Sequence, residues 1–143
     1  MMTAKGVKVI EYNSRFGDPE AEAVLPLLKT DLVEIVDACI DGTLDTTPIE
    51  WLNKTGFTVV VASGGYPENV VKGYPITIGD LDGVTLYHAG TAVKDGVLVT
   101  NGGRVFDVTA VADNIEEARK IVYREIGKIK FEGARYRSDI GRV

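Results

Sequence analysis

Closely spaced β-rich segments in the second half of the chain limit its possible folds more than any other feature. Phe57 to Ala62 is an apolar run bounded by Ser63-Gly64-Gly65. Further β-rich segments lie at residues 84–88, 97–100 and 104–111. Short strands at this spacing are typical of antiparallel sheets, because parallel strands need longer crossover connections. The pattern therefore predicts a mainly antiparallel sheet.

Turn and cap signals organise this β-rich region. Asp95-Gly96 predicts a hairpin, and Asn101-Gly102-Gly103 predicts a second turn, so that consecutive hairpins are expected. Asn114, with Glu117 three residues later, forms a capping-box pattern that marks a helix start. The stripe of this helix that is expected to be buried consists of Ile115, Ala118, Ile121, Val122 and Ile126. The helix should cover one face of the sheet.

The first half of the chain begins with a β-rich segment and continues with helical patterns. Residues 7–12 (VKVIEY) predict a short strand that presents the polar residues after it. Asp18 as N-cap and Pro19 at the first helical position predict a helix that runs toward Leu28. The strand and the helix would thus flank one polar segment.

A second helix gives the clearest amphipathic pattern of the first half. Thr30 or Asp31 can cap it, and Gly42 ends it after Ile40. Apolar residues recur at three- and four-residue steps and are Leu32, Ile35, Val36, Cys39 and Ile40. Cys39 lies on this stripe, so we expect it to be a small core residue and not a nucleophile.

A turn-rich, polar segment at residues 41–56 separates the helical region from the β-rich region. We place a domain boundary there, with one domain at residues 1–50 and a second at residues 51–143. Helices followed by a mainly antiparallel sheet with a covering helix predict an α+β fold class.

Charge and composition exclude several classes of function. The 143 residues carry a formal net charge of -5 and have a pI near 4.9, which leaves no basic surface for a nucleic acid. Cys39 is the only cysteine, so neither an intrachain disulfide nor a zinc site of several thiolates can form. No segment reaches the roughly 18 apolar residues of a membrane span. A cytoplasmic protein without a nucleic-acid or membrane partner fits best.

Glu11, Asn13 and Arg15 are the residues best suited to chemistry. An extended backbone would place all three on one face. A carboxylate beside an amide oxygen suits Mg²⁺ that also binds substrate phosphates, and a guanidinium can hold a phosphate oxygen. A solvated strand edge or a helix cap is the alternative interpretation of the same polar segment.

The segment at residues 7–22 (VKVIEYNSRFGDPEAE) resembles the last metal-binding strand of the ATP-grasp fold in the phosphoribosylamine-glycine ligase family. Four further segments resemble the C-terminal domain of the same family, in the same order: SGGYP at 63–67, YHAGT at 87–91, TNGGRV at 100–105 and YRSDIG at 136–141. The resemblance thus covers nearly the whole chain. It implies the end of an ATP-grasp domain at residues 1–50, followed by the C-terminal domain of the ligase at residues 51–143.

The resemblance also implies an activity. Members of this family are ATP-dependent carbon-nitrogen ligases that join 5-phosphoribosylamine and glycine through a glycyl phosphate in purine biosynthesis. It implies that Glu11 and Asn13 bind Mg²⁺ or Mn²⁺, and that Arg15 is a catalytic phosphate contact. Residues 1–6 resemble the interior of the family, so we expect an N-terminal remainder that supplies most of the ATP site. Without it the chain should be inactive.

The chain as a whole and several of its motifs also allow a second interpretation. A non-catalytic binding or assembly module with the same fold is the alternative to a ligase fragment. Ser63 to Pro67 and Asn101 to Arg104 are expected first as tight turns, although either could approach a ligand. His88 has no evident catalytic partner, so a hydrogen-bonded structural role is expected. The basic residues after Lys128 are expected on a solvated surface or an interdomain contact.

Overall fold

The computed structural model of the protein describes residues 1–142. Its strands are β1 (Met2–Thr3), β2 (Gly6–Val7), β3 (Thr55–Ala62), β4 (Thr77–Ile78), β5 (Thr85–His88), β6 (Thr91–Lys94), β7 (Val97–Thr100), β8 (Arg104–Ala112) and β9 (Ile129–Lys130). Its α-helices are α1 (Glu20–Val24), α2 (Leu32–Asp41) and α3 (Ile115–Glu125). Short 3₁₀ turns follow at Leu25–Leu27, Leu44–Thr46 and Ile126–Lys128. The α+β class and the antiparallel pairing predicted from the sequence are confirmed.

The central sheet has the strand order β3-β8-β5, and both pairings are antiparallel. Its middle strand, β8, is buried continuously from Val105 to Ala110. Side chains alternate along a strand, so Phe106 and Val108 face one side while Asp107 and Thr109 face the other. The strand therefore carries apolar residues toward one layer and polar residues toward the opposite layer.

Helix α3 packs on the apolar side of the sheet, against β3 and β8. Its predicted cap is confirmed, because the Asn114 side chain accepts a hydrogen bond of 2.9 Å from the Glu117 backbone N–H. The buried core consists of Phe57, Val59, Val61, Val105, Phe106, Val108, Ala110, Ala112, Ala118, Val122, Ile126 and Ile129. The last turn of α3 adds a carboxylate, because Glu125 has no exposed surface. Burial of Glu125 is not evident from the helical pattern.

The predicted hairpin at Asp95-Gly96 is confirmed, since β6 pairs with β7 across this turn and both residues have positive φ. The second hairpin, expected at residues 101–103, is wrong. Strand β8 pairs with β3 and β5 and not with β7. Strands β3 and β8 are the two longest in the described chain, and they pair with each other along the whole of β3.

The segment before α1 departs from the sequence expectation. The strand predicted at residues 7–12 is wrong, because β2 ends at Val7 and residues 1–16 are all exposed. The Lys8 backbone exchanges two hydrogen bonds with Met1, but within residues 1–142 no strand lies beside residues 9–12. The predicted cap of α1 is also wrong, because Pro19 occupies the N-cap position and no side chain caps the helix.

Helix α2 has its predicted ends but not its predicted environment. Asp31 caps it by accepting from the Val33 N–H at 2.8 Å, and Gly42 ends it with a φ of 69°. Cys39, however, is exposed, and the expectation of a core cysteine is wrong. Among the described helices, none combines the length and apolar character needed to cross a bilayer.

Candidate functional site

The predicted metal ligands Glu11 and Asn13 lie side by side on the exposed segment before α1. The Asn13 Nδ2 donates to the Glu11 Oε1 over 3.4 Å. Arg15 turns to its own backbone, where its Nη1 donates to the Phe16 carbonyl oxygen over 2.6 Å. The structure therefore brings the two predicted ligands together, and it does not bring Arg15 into their hydrogen-bonded pair.

The chemistry of Glu11 and Asn13 fits Mg²⁺ or Mn²⁺. Both ions prefer oxygen ligands, and Mg²⁺ keeps several waters beside one or two protein oxygens. Asn13 presents its amide nitrogen to the carboxylate, and half a turn of the amide would place its Oδ1 there instead. Since both side chains are exposed, further oxygen ligands can approach from solvent.

A cluster of three carboxylates, from Asp18, Glu22 and Asp107, lies between α1 and the polar side of the sheet. Each residue offers one carboxylate oxygen, and these three oxygens all lie within 4.8 Å of one another. Helix α1 can approach the sheet closely because β3 has Gly56 there; a Cβ at this position would lie 2.0 Å from the Ala23 carbonyl oxygen. The sequence patterns do not predict this cluster. Its one local signal is Asp107, the only charged residue of β8 after Arg104.

Arg104, the first residue of β8, ties Asp18 to the sheet. Its Nη2 lies 3.1 Å from Asp18 Oδ2, and its Nη1 donates to the Asp18 carbonyl oxygen over 2.9 Å. The Asp18 carboxylate thus pairs with an arginine instead of capping α1. One guanidinium offsets only part of the charge of the three carboxylates.

Burial raises the pKa of Asp107 to about 6, and the charges of Asp18 and Glu22 add to the effect while Arg104 opposes it. The folded-state pKa of Asp107 lies above the unfolded value. The contribution of its protonated form to the free energy of unfolding is therefore fully present below about pH 4 and is lost as pH rises through about 6. We expect Asp107→Asn to stabilise the protein at pH 8 by about 1–2 kcal/mol, after allowance for solvent screening.

Urea unfolding at pH 8 and at pH 4.5 tests this expectation. The difference in free energy of unfolding between Asp107→Asn and the parent should shrink markedly at the lower pH. The control is Asp37→Asn on α2, an exposed position where little change is expected at either pH. A destabilised Asp107→Asn protein at pH 8 would contradict the interpretation.

A groove of about 480 Å³ runs beside the polar side of the sheet. Three arginines contribute to its lining: Arg104, Arg135 and Arg137. The remaining lining residues are Pro19, Val60, Ala62, Ser63, Tyr66, Tyr136 and Ile140. The groove thus combines apolar walls with guanidinium groups at its rim, a lining that can receive an anionic ligand with an apolar body.

Comparison with known proteins assigns the family. The sequence model of the family described as "Phosphoribosylglycinamide synthetase, C domain" matches residues 56–143, more than half of the chain. The chain belongs to the phosphoribosylglycinamide synthetase C-domain family. The family resemblance drawn from the sequence motifs is confirmed.

Relatives of this phosphoribosylglycinamide synthetase domain are longer proteins. A phosphoribosylamine–glycine ligase of Caldanaerobacter subterraneus subsp. tengcongensis is 51% identical over 98% of this chain, which spans 34% of that ligase. The human trifunctional purine biosynthetic protein adenosine-3 is 48% identical over 99% of this chain, which spans 14% of it. The chain therefore spans about a third of the first relative and a smaller share of the second.

A solved structure agrees with the synthetase family. The crystal structure of a phosphoribosylamine–glycine ligase from Thermotoga maritima has a TM-score of 0.77 and 37% identity. The match covers 97% of this chain and 34% of that one. The fold described above is thus that of a corresponding part of a longer ligase.

The two glycine turns of the synthetase domain meet at one end of the groove. Ser63 Oγ donates to the Gly102 carbonyl oxygen, and Ser63 N–H donates to the Gly103 carbonyl oxygen, both over 2.8 Å. Gly103 accommodates the Tyr66 ring, because a Cβ there would lie 2.3 Å from a ring carbon. Residues 64–68 form a turn, as expected, whereas Gly102 and Gly103 form only a bend; the first segment also lines the groove through Ser63 and Tyr66.

The basic segment at the C-terminal end of the synthetase domain docks through its backbone. Arg135 exchanges two backbone hydrogen bonds with Ala62, of 2.7 and 2.9 Å, at the outer edge of β3. Arg119 of α3 holds the carbonyl oxygens of Ser138 and Ile140. The arginine side chains of this segment remain exposed, as predicted.

His88 has the structural environment that the sequence predicted. Its Nδ1 lies 3.0 Å from the Thr91 Oγ1, and its ring meets the Phe106 ring edge-on with centroids 4.9 Å apart. The imidazole thus secures the turn between β5 and β6. No serine, cysteine or carboxylate is hydrogen-bonded to it in the described chain.

Proposed function

We propose that this chain is the C-terminal part of a phosphoribosylamine–glycine ligase. The reaction joins 5-phosphoribosylamine and glycine to form 5-phosphoribosylglycinamide, with conversion of ATP to ADP and phosphate. The observation that carries the proposal is the 51% identity to a protein named for this ligase over 98% of the chain. The match to the synthetase C-domain family supports the same reaction.

Residues 1–50 form the end of the ATP-grasp domain in this proposal, and residues 51–143 form the C-terminal domain. The start of the family match at residue 56 supports a boundary in this region. So does the change from the exposed N-terminal segment and helices to the strands of the central sheet, which begins at Thr55.

Glu11 and Asn13 hold Mg²⁺ or Mn²⁺ in the proposed enzyme. The bound ion supplies positive charge that neutralises the phosphates of ATP. Arg15 donates to a phosphate oxygen, which requires its guanidinium to leave the Phe16 carbonyl oxygen. That oxygen is a neutral, exposed acceptor, so the exchange for an anionic acceptor is favourable.

An exposed apolar surface supports a large partner for the chain. We call it the N-terminal apolar surface, and its residues are Val7, Val9, Ile10, Tyr12 and Phe16, each at least 60% exposed. Monomeric proteins rarely leave so many large apolar side chains together in water. The N-terminal remainder of the ligase would cover them and supply most of the ATP site, so the chain alone should be inactive. Its location in the cytoplasm stays a prediction.

A chimeric ligase tests the proposal. This chain would replace the corresponding third of the Caldanaerobacter ligase, and ADP formation would be measured with ATP, glycine and 5-phosphoribosylamine. We expect activity within about tenfold of the parent ligase, and none above background from this chain alone. The control chimera carries Glu34→Ala on the exposed side of α2.

A chimera that folds and binds ATP but forms no ADP, while the parent ligase is active, would contradict the ligase assignment. It would favour the non-catalytic binding or assembly module. ADP formation that does not depend on glycine or on 5-phosphoribosylamine would contradict the proposed substrates.

A further inference from the structure

The carboxylates of Asp18, Glu22 and Asp107 form a site whose charge the surrounding residues do not balance. Two of them come from the segment of α1 and the third from β8, and their oxygens lie within 4.8 Å of one another. The fold thus brings Asp107 to two acids that precede it by 85 or more positions in the sequence. Like charges at this distance repel each other, so the arrangement costs free energy when no cation lies among them.

Asp107 is buried and aimed into this cluster. Only 2% of the residue is exposed, and its Oδ1 has no hydrogen-bond partner among residues 1–142. The Glu22 Oε2 is likewise inaccessible and without a partner in the described chain. Buried carboxylate oxygens are almost always paired, hydrogen-bonded or bound to a metal. Two such oxygens in one cluster therefore point to a ligand that both can bind.

Arg104 does not fill this role. Its guanidinium bonds the Asp18 carboxylate and the Asp18 carbonyl oxygen, and neither of the two unpaired oxygens belongs to Asp18. With three carboxylates and one guanidinium, the site keeps two formal negative charges when all the acids are ionised. A divalent cation has the charge that balances them.

We propose that Asp18, Glu22 and Asp107 bind a hard divalent cation, Ca²⁺ or Mg²⁺. A ligand set made only of carboxylate oxygens suits these ions, whereas zinc sites in proteins favour nitrogen and sulfur ligands. Calcium–oxygen distances of about 2.3–2.6 Å allow opposite ligands to lie up to about 5 Å apart, so Ca²⁺ fits the observed spacing. Mg²⁺ requires the three oxygens to draw closer by a few tenths of an ångström.

Access to the site is available beside α1. A cavity of about 130 Å³ is lined by Glu22 together with Ala21, Leu25 and Tyr87. Asp18 and Asp107 do not line it, so the cavity brings water to the Glu22 side of the site. The site shares no residue with the Glu11–Asn13 pair and does not depend on the proposed ligase reaction.

Thermal unfolding of the chain at pH 8, with EDTA or with 5 mM CaCl₂ or MgCl₂, tests the proposal. We expect either ion to raise Tm by roughly 5 °C in a saturable manner. Asp107→Asn and Glu22→Gln should each lose this rise. Asp107→Asn is expected to be more stable than the parent in EDTA, so loss of its response cannot be ascribed to misfolding.

The matched control is the double variant Glu11→Ala/Asn13→Ala, which should keep the full rise in Tm. Equilibrium dialysis with ⁴⁵Ca²⁺ should give one site for the parent chain and none for Asp107→Asn. An equal rise in Asp107→Asn and parent would overturn the proposal. So would the absence of any cation effect on the parent, because Asp107 and Glu22 would then share a proton instead of an ion.

Discussion

In the chimeric ligase, Glu11→Ala is expected to lower kcat on the order of 100- to 1000-fold. Glu11 offers the only charged oxygen of the predicted pair, so its loss removes both a ligand and a negative charge that retains the metal. Asn13→Ala removes a neutral oxygen, and about a 10- to 100-fold loss is expected. ADP formation measured over a range of Mg²⁺ concentrations checks both values.

The dependence on Mg²⁺ distinguishes a ligand from a residue that merely supports the fold. Loss of a ligand should raise the Mg²⁺ concentration needed for half-maximal rate, and high Mg²⁺ should restore part of the activity. Both side chains are exposed, so neither alanine variant should change Tm appreciably. Unchanged kinetics in both variants would mean that residues 11–13 are only a solvated segment and that the metal assignment is wrong.

The second large effect is expected at Glu125, where alanine should lower Tm by about 10 °C. The carboxylate is fully buried and lies 2.7 Å from the Lys128 Nζ and 2.5 Å from the Arg124 Nε. Its Oε2 also accepts from the Asp82 backbone N–H over 2.9 Å. Removal of Glu125 leaves two cations and a backbone N–H without their acceptor.

Glu125 joins the end of α3 to the loop before β5. The Lys128 Nζ also donates to the Asp80 carbonyl oxygen over 2.8 Å, and Arg124 Nη2 to the Asp82 carbonyl oxygen over 3.1 Å. One acid therefore organises two basic side chains that in turn hold the loop. Differential scanning calorimetry measures the effect, with Glu116→Ala in the exposed first turn of α3 as control. A shift in Tm below 2 °C would contradict this account.

The pH profile of the same group has a defined direction. Hydrogen bonds from Lys128, Arg124 and the Asp82 N–H lower the pKa of Glu125 to about 2. Because the folded-state pKa lies below the unfolded value, the contribution of Glu125 is present above pH 4.5 and is lost as pH falls toward 2. The Tm of Glu125→Ala should therefore lie below that of the parent at neutral pH and approach it in acid.

Elements specified by neighbouring residues could be predicted from the sequence. The Asn114 cap, the Asp95-Gly96 hairpin and the Gly42 helix end depend on side-chain and backbone preferences within a few residues. Each was predicted at the position where the structure has it. The metal-binding role of Glu11 and Asn13 stays a prediction; the structure places the Asn13 Nδ2 3.4 Å from the Glu11 Oε1.

Features that depend on distant partners were missed. The pairing of β8 with β3 joins residues some 50 positions apart, and a turn signal at residues 101–103 pointed to the wrong neighbour. The burial of Glu125 and Asp107 follows from the packing of remote segments, so no local pattern predicts it. The strand expected at residues 7–12 needs a neighbour to form its ladder, and residues 1–142 provide one only at its start, where Val7 pairs with Met2 and Lys8 with Met1. Helical spacing located the apolar stripe of α2, yet spacing alone cannot say which surface covers it.

The bond between Arg104 and Asp18 links the sheet to the segment that carries the proposed phosphate contact. Arg104 opens the central strand and grips both the side chain and the backbone carbonyl of Asp18. Only Phe16 and Gly17 separate this anchored residue from Arg15. In the proposed enzyme the C-terminal domain thus helps to position the segment that carries Arg15, although it provides no ligand to the metal there. In that enzyme, substitutions in the sheet that displace Arg104 would shift Asp18 and, with it, the position of Arg15.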